Sequence, residues 1–195
     1  MRHFAILFAF WVINVGNVSA QQIRLNLFPS LHFQNAIVDV RGNGSQKVAI
    51  FADPNNCPEC SKLAQKLQTL DNITIYTFLY SPVEPSAKTT NQELLDMSRK
   101  IWCSDDPLIT WKNFILRRIT PPVLNKEQEK NCDISALLDN QNFGARNDIK
   151  RTPTTFLPNG KRLTGVLTDR GIADNLKADN QKKKKIRSPH RFHFD

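Results

Sequence analysis

From Lys47 the chain runs apolar without interruption through Val48-Ala49-Ile50-Phe51-Ala52 to Asp53, the pattern of a strand buried on both faces. Pro54-Asn55-Asn56 breaks it, and Cys57-Pro58-Glu59-Cys60 opens a helix predicted to run to about Leu70. A second β-rich run spans Asn72 to Tyr80, carried by Ile73, Ile75, Tyr76, Phe78 and Leu79. The period then changes. Leu94, Leu95, Met97, Ile101 and Trp102 repeat at helical spacing, as do Trp111, Phe114, Ile115 and Leu116, until Pro121-Pro122. Ile134, Leu137 and Leu138 predict a further short helix. Thr154-Thr155-Phe156-Leu157 reads as a strand begun at Pro153, Asn159-Gly160 as a hairpin turn before Lys161-Arg162-Leu163, and Asp169 to about Leu176 as a closing helix. Upstream, Ile23, Leu25 and Leu27 alternate, and Ile37, Val38 and Val40 do so more loosely. That is enough for one edge strand within a lead-in over residues 21–46.

Strand, helix, strand, helical block, strand, hairpin strand, helix is the order of an α/β fold with a mixed central sheet flanked by helices. The block at about 91–143 reads as a helical insertion within a domain over 47–177. Composition narrows the picture little: 40% hydrophobic and 23% charged residues over 195 positions exclude a disordered or collagen-like chain. Charge matters through its location. The net +9 is concentrated at the end, where Lys182-Lys183-Lys184-Lys185, Arg187 and Arg191 face only Asp195. Residues 178–195 therefore read as a basic, disordered tail, with contact to anionic lipid or nucleic acid as the less favoured alternative. His190 and His193 are too few for a metal site.

The start of the chain reads as an address. Met1-Arg2-His3 is basic, Phe4 to Val15 is apolar except for Asn14, and Val18 and Ala20 are small. This is the order of a secretory signal peptide over residues 1–20, with cleavage between Ala20 and Gln21. The apolar run falls well short of the about 20 residues a membrane span needs, which disfavours a retained anchor. An exported chain meets an oxidising compartment, where disulfides persist.

Cys57-Pro58-Glu59-Cys60 is the motif with chemistry in it. Thiol–disulfide exchange needs two sulfurs able to close a small ring, one of them reachable by substrate. A pair on the first turn of a helix meets both demands. Cys57 lies at the helix N-terminus, where free N–H groups favour the thiolate, and Pro58 suits the first helical position. Cys60 falls on the apolar face with Leu63 and Leu67. Cys57 is thus expected to attack and Cys60 to resolve the mixed disulfide. Zinc would want a second C-x-x-C, but Cys103 and Cys132 stand singly. A purely structural Cys57–Cys60 bridge closes too small a loop to stabilise much. Glu59 opposes thiolate formation and so argues for a mild potential, unless it simply faces solvent. Asp53 reads equally as a proton relay to Cys60 or as a loop cap. Thr152-Pro153 lies 95 residues beyond Cys57. A cis bond there would offer the Thr152 backbone to an extended substrate; an ordinary trans proline at a strand start is the alternative.

Taken in order, Phe51-Ala52-Asp53-Pro54, Cys57-Pro58-Glu59-Cys60, Ile101-Trp102-Cys103, Cys132-Asp133, Thr152-Pro153-Thr154, Leu157-Pro158-Asn159-Gly160 and Leu163-Thr164-Gly165 form a series. It resembles the thioredoxin-like catalytic domain of the periplasmic disulfide isomerase family (DsbC and DsbG), from about Lys47 to Leu176. The resemblance implies a thioredoxin-like fold, a redox-active Cys57/Cys60 pair, a cis Pro153 after Thr152, and a structural Cys103–Cys132 disulfide. In an exported protein a bridge between the last two is also favoured over free thiols. The chain departs from the family pattern at Asn55-Asn56, where one residue is usual, and at Arg151, where glycine is usual. It also has 26 residues, Gln21 to Gln46, in place of the family's dimerisation domain and linker helix.

The sequence thus predicts a monomeric, periplasmic thiol–disulfide oxidoreductase without metal or cofactor. It would act on cysteine-bearing protein substrates and be served by a membrane or periplasmic redox partner. An isomerase proper and a non-catalytic scaffold or chaperone of an envelope assembly are the alternatives.

Overall fold

The computed structural model describes residues 26–55, 57–83, 91–167, 171 and 174–176. The signal segment with Ala20 and Gln21, the alternation at Ile23 and Leu25, and the basic tail lie outside the described residues. Of the expected closing helix, Gly171 and residues 174–176 are described; they are helical, and Leu176 is buried.

A five-stranded sheet forms the centre, in the order β1-β3-β2-β4-β5. The strands are β1 (Ile37–Val40), β2 (Gln46–Ala52), β3 (Ile73–Leu79), β4 (Thr154–Phe156) and β5 (Arg162–Thr164). β2 and β3 run parallel, joined by the helix α1 (Pro58–Leu67); every other pairing is antiparallel. The helical block holds α2 (Asn91–Trp102), α3 (Pro107–Arg117), α4 (Lys126–Asn131) and α5 (Ser135–Arg146).

The unbroken apolar run of β2 follows from its two buried faces. Val48, Ile50 and Ala52 point into one cluster with Cys60, Leu63 and Leu67 of α1 and Trp111 and Ile115 of α3. Ala49 and Phe51 point into the other, with Phe28, Leu31, Phe78, Tyr80, Ile149 and Phe156. Phe51 stacks on Phe78 at 4.9 Å and on Phe143 of α5 at 5.5 Å between ring centres. The core therefore begins well before Lys47. Two short 3-10 turns, Phe28–Ser30 and Phe33–Asn35, lay Phe28, Leu31 and Phe33 over the second face, and β1 extends the sheet. The described part of the lead-in, from Asn26 on, is thus a layer of the domain, which the loose alternation at Ile37–Val40 only hinted at.

The other differences are local. The helical stretch from Leu94 to Leu116 is broken at Cys103–Asp106, because Asp106 caps α3 through the Ile109 N–H at 2.9 Å and Pro107 starts it. α4 carries no buried residue and hence no apolar period; its signal is the capping box of Asn125 and Gln128. α5 runs 12 residues, longer than the short helix expected, and α1 stops at Leu67. At the β4–β5 hairpin only Gly160 has positive φ, at 86°. The turn spans Leu157 to Gly160, closed by the Gly160 N–H donating to the Leu157 carbonyl at 2.9 Å, and is not a two-residue Asn159-Gly160 turn.

On the edge strand β1, Asp39 points inward. Its carboxylate accepts from Arg41 at 2.6 Å and from Lys112 of α3 at 2.8 Å, and Arg41 also donates to the Leu67 carbonyl at 2.5 Å. Burial works to raise the Asp39 pKa, but the hydrogen bonds and charges of Lys112 and Arg41 outweigh it and hold the carboxyl below its usual range. This cluster pins the edge strand to the end of α1 and the middle of α3.

Candidate active site

Cys57, five residues past the end of β2, is the N-cap of α1, with Pro58 at the first helical position. Its sulfur accepts the Cys60 backbone N–H at 3.1 Å, while its carbonyl accepts the same N–H at 3.0 Å. Cys57 is half-buried; Cys60, one turn on, is 3% exposed within the core cluster. The two are joined as a disulfide with Cα atoms 5.2 Å apart. One sulfur thus faces outward where N–H groups converge, and the other sits beneath it among Leu63 and Leu67.

The loop before β4 closes on this pair from the far end of the chain. The Thr152–Pro153 peptide bond is cis, Pro153 is fully buried, and the Thr152 hydroxyl donates to the Cys57 sulfur at 3.3 Å. The Pro153 carbonyl accepts from Gly165 N–H at 2.8 Å, which ties the loop to the end of β5. Arg151 is exposed, and its carbonyl accepts from the Thr154 hydroxyl at 2.7 Å.

Asp53 is occupied by its own loop. Its Oδ1 accepts the Asn55 N–H at 2.9 Å and the Ser81 hydroxyl at 2.5 Å, and the Asn55 amide donates to Ser81 and to the Leu94 carbonyl at 3.0 Å. None of these contacts reaches Cys60. Glu59 and Pro58 are exposed, and Glu59 lies 3.9 Å from Lys62, a solvent-screened pairing of little energy.

An open groove runs beside Cys57, walled by Asp53, Pro54 and Asn55 of the preceding loop, by Pro58 and Ser61 of α1, and by Phe114, Ile115 and Arg118 at the end of α3. Ser61 donates to the Ile115 carbonyl at 2.7 Å and so fixes α3 against the active-site helix. Ser61, Ser81, Phe114 and Arg118 are site residues that sequence reasoning missed. Phe114 was visible only as part of an apolar helical stripe, and nothing local marks the other three. Cys103 and Cys132 lie apart from this groove: they are joined to each other at the ends of α2 and α4, Cα atoms 5.6 Å apart.

A sheet of this order, with a cysteine pair at the start of α1 and a cis proline against it, defines a protein of the thioredoxin-like class. The chain belongs to the thioredoxin-like family: the family model described as a thioredoxin-like domain matches residues 33–180. Among curated relatives, a probable thiol:disulfide interchange protein DsbC of Bordetella pertussis is 36% identical over 141 residues, covering 72% of this chain and 45% of the relative. A Bordetella avium protein of the same name is 30% identical over 149 residues, covering 76% of this chain and 48% of the relative. The chain thus spans just under half the length of these relatives. Among solved structures, a disulfide interchange protein from Neisseria gonorrhoeae superposes with TM-score 0.60 at 25% identity, covering 78% of this chain and 97% of that one. BdbD from Bacillus subtilis shares the fold, with TM-score 0.55 at 11% identity over 76% of this chain and 95% of that one.

Proposed function

We propose that the chain is an exported thiol–disulfide oxidoreductase that acts on cysteine-bearing proteins in the periplasm. The observation that carries this reading is the Cys57 sulfur itself. It is half-exposed at a helix start, meets the Cys60 N–H at 3.1 Å and the Thr152 hydroxyl at 3.3 Å, and is bonded to a buried partner. Both donors favour a thiolate once the pair is reduced. The DsbC-named relatives agree with it.

In the reducing direction the Cys57 thiolate attacks one sulfur of a substrate disulfide. A Cys57–substrate bond forms, the substrate S–S bond breaks, and the other substrate sulfur leaves as a thiolate and takes up a proton. Cys60, having lost its proton, then attacks Cys57. The Cys57–Cys60 disulfide forms, the substrate is released with both sulfurs reduced, and two electrons have moved to it. A dithiol redox partner recycles the pair; run backward, the same steps oxidise a substrate. Thr152 and the cis Pro153 bind the substrate chain beside Cys57, while Pro58, Glu59 and Asp53 shape the loop around it. The Cys103–Cys132 bridge braces the helical block. Residues 1–20 direct export, with cleavage between Ala20 and Gln21.

The interchange in the relatives' names also accommodates isomerisation, in which a second substrate thiol, in place of Cys60, resolves the mixed disulfide. Replacing Cys60 by Ala tests the roles. The C60A protein should accumulate mixed disulfides on Cys57, visible by non-reducing electrophoresis and mass spectrometry, and C57A should trap none. Retention of insulin reduction by C57A would sink the proposal.

A further inference from the structure

The groove beside Cys57 carries a charge pattern that exchange chemistry does not itself require. Arg118 closes the groove at the end of α3. It is the helix C-cap, at φ 57°, and its backbone N–H donates to the Phe114 carbonyl at 3.0 Å. The left-handed turn ends α3 there, and the exposed Arg118 side chain borders the groove that contains Cys57. Arg151 stands one residue before Thr152, whose hydroxyl touches the same sulfur. Among the described residues, neither guanidinium lies within 4.0 Å of a carboxylate. Of the acidic groups nearby, Asp53 lines the opposite, loop side of the groove with its Oδ1 accepting from Asn55 and Ser81, and Glu59 is turned toward Lys62. At the α3 edge of the groove the exposed, unpaired charge is therefore the Arg118 guanidinium, across from the loop that holds Asp53.

We propose that Arg118, aided by Arg151, is a specificity determinant that selects disulfides whose cysteine is neighboured by Asp or Glu. This rests on the oxidoreductase reading above. The apolar wall of Phe114 and Ile115 receives the stem of the neighbouring side chain, and Arg118 receives its carboxylate. The bond changes are those of the exchange step. The substrate sulfur that leaves does so as a thiolate, so positive charge beside it also stabilises the charge that develops.

The test uses the full chain and three peptide disulfides that differ only in the residue following the attacked cysteine: Glu, Gln or Lys. An exposed ion pair is worth at most about a fivefold factor. The kcat/KM for Glu should exceed that for Lys by about fivefold at low ionic strength. The ratio should shrink in about 0.5 M salt, where charges are screened within a few ångströms. R118G should bring the ratio toward one, and R118E should invert it. Glycine accepts φ 57° freely, so the helix end survives in R118G, and a thermal melt checks this. Equal kcat/KM for Glu and Lys in the wild-type protein overturns the selectivity and leaves the oxidoreductase reading standing. A wild-type ratio retained in both Arg118 variants overturns the assignment to Arg118. No turnover of any of the three peptides overturns the oxidoreductase reading itself.

Discussion

Replacing Cys103 and Cys132 together by serine should loosen the helical block while leaving the chemistry at Cys57 intact. The bridge joins residues 29 apart, from the end of α2 to the C-cap of α4. A loop of that length constrains the unfolded chain by about 3.5 kcal/mol in the chain-entropy treatment. Part of the native tie survives without it, because the Trp102 indole N–H still donates to the Asp133 carbonyl at 3.1 Å across the same gap. We expect a loss of about 3 kcal/mol, which for a domain of this size lowers Tm by about 6–12 °C. The hydrogen-bond donors to the Cys57 sulfur come from Cys60 and Thr152, both outside the 103–132 loop. Iodoacetamide labelling of Cys57 in the reduced variant should therefore proceed at the wild-type rate. Urea titrations with Cys57–Cys60 held oxidised in both proteins give the stability difference. A loss below about 1 kcal/mol would refute the loop argument. A full-size loss accompanied by slowed labelling would show that the block, and not only α1 and the cis-proline loop, sets the reactivity of the sulfur.

Thr152→Val deletes the hydroxyl at 3.3 Å from the Cys57 sulfur; losing a net hydrogen bond of about 1 kcal/mol should slow alkylation of Cys57 near pH 7 by about fivefold, with folding unaffected by circular dichroism. Asp39→Asn should cost about 2 kcal/mol at pH 7, because it leaves Arg41 and Lys112 facing an uncharged amide, a loss moderated by the one-third exposure of Lys112. The folded Asp39 carboxyl titrates below its usual 3.8, so its contribution is complete above that pH and is lost as pH falls beneath it. Urea titrations at pH 7 and at about pH 2.5 should show the gap between wild type and D39N closing in acid. Gly144→Ala would drive a methyl into the Tyr80 ring, whose hydroxyl donates to the Ile149 carbonyl at 2.7 Å; despite better helix propensity, it should destabilise by about 1–3 kcal/mol in the same assay.

What the sequence determined lies within windows of a few residues. The two-faced strand β2 was legible because burial on both sides demands an unbroken apolar run. The start of α1 was legible because a helix N-terminus has its own chemistry, met here by Cys57 and Pro58. The placement of Cys60 beneath Cys57 followed from helical spacing to Leu63 and Leu67. What only the tertiary structure decided are pairings that no local rule encodes. Thr152 reaches the Cys57 sulfur across 95 residues because β4 lies beside β2 in the sheet. Arg118 enters the groove because α3 packs on α1 and ends there in a left-handed turn. Ser81 meets Asp53 because β2 and β3 are parallel neighbours and bring their ends together. Phe28, Leu31 and Phe33 cover a sheet face from turns that show no strand or helix period, and α4 shows none because it buries nothing. Periodicity reports which side of an element is buried, but the partner on that side is set by sheet order and packing.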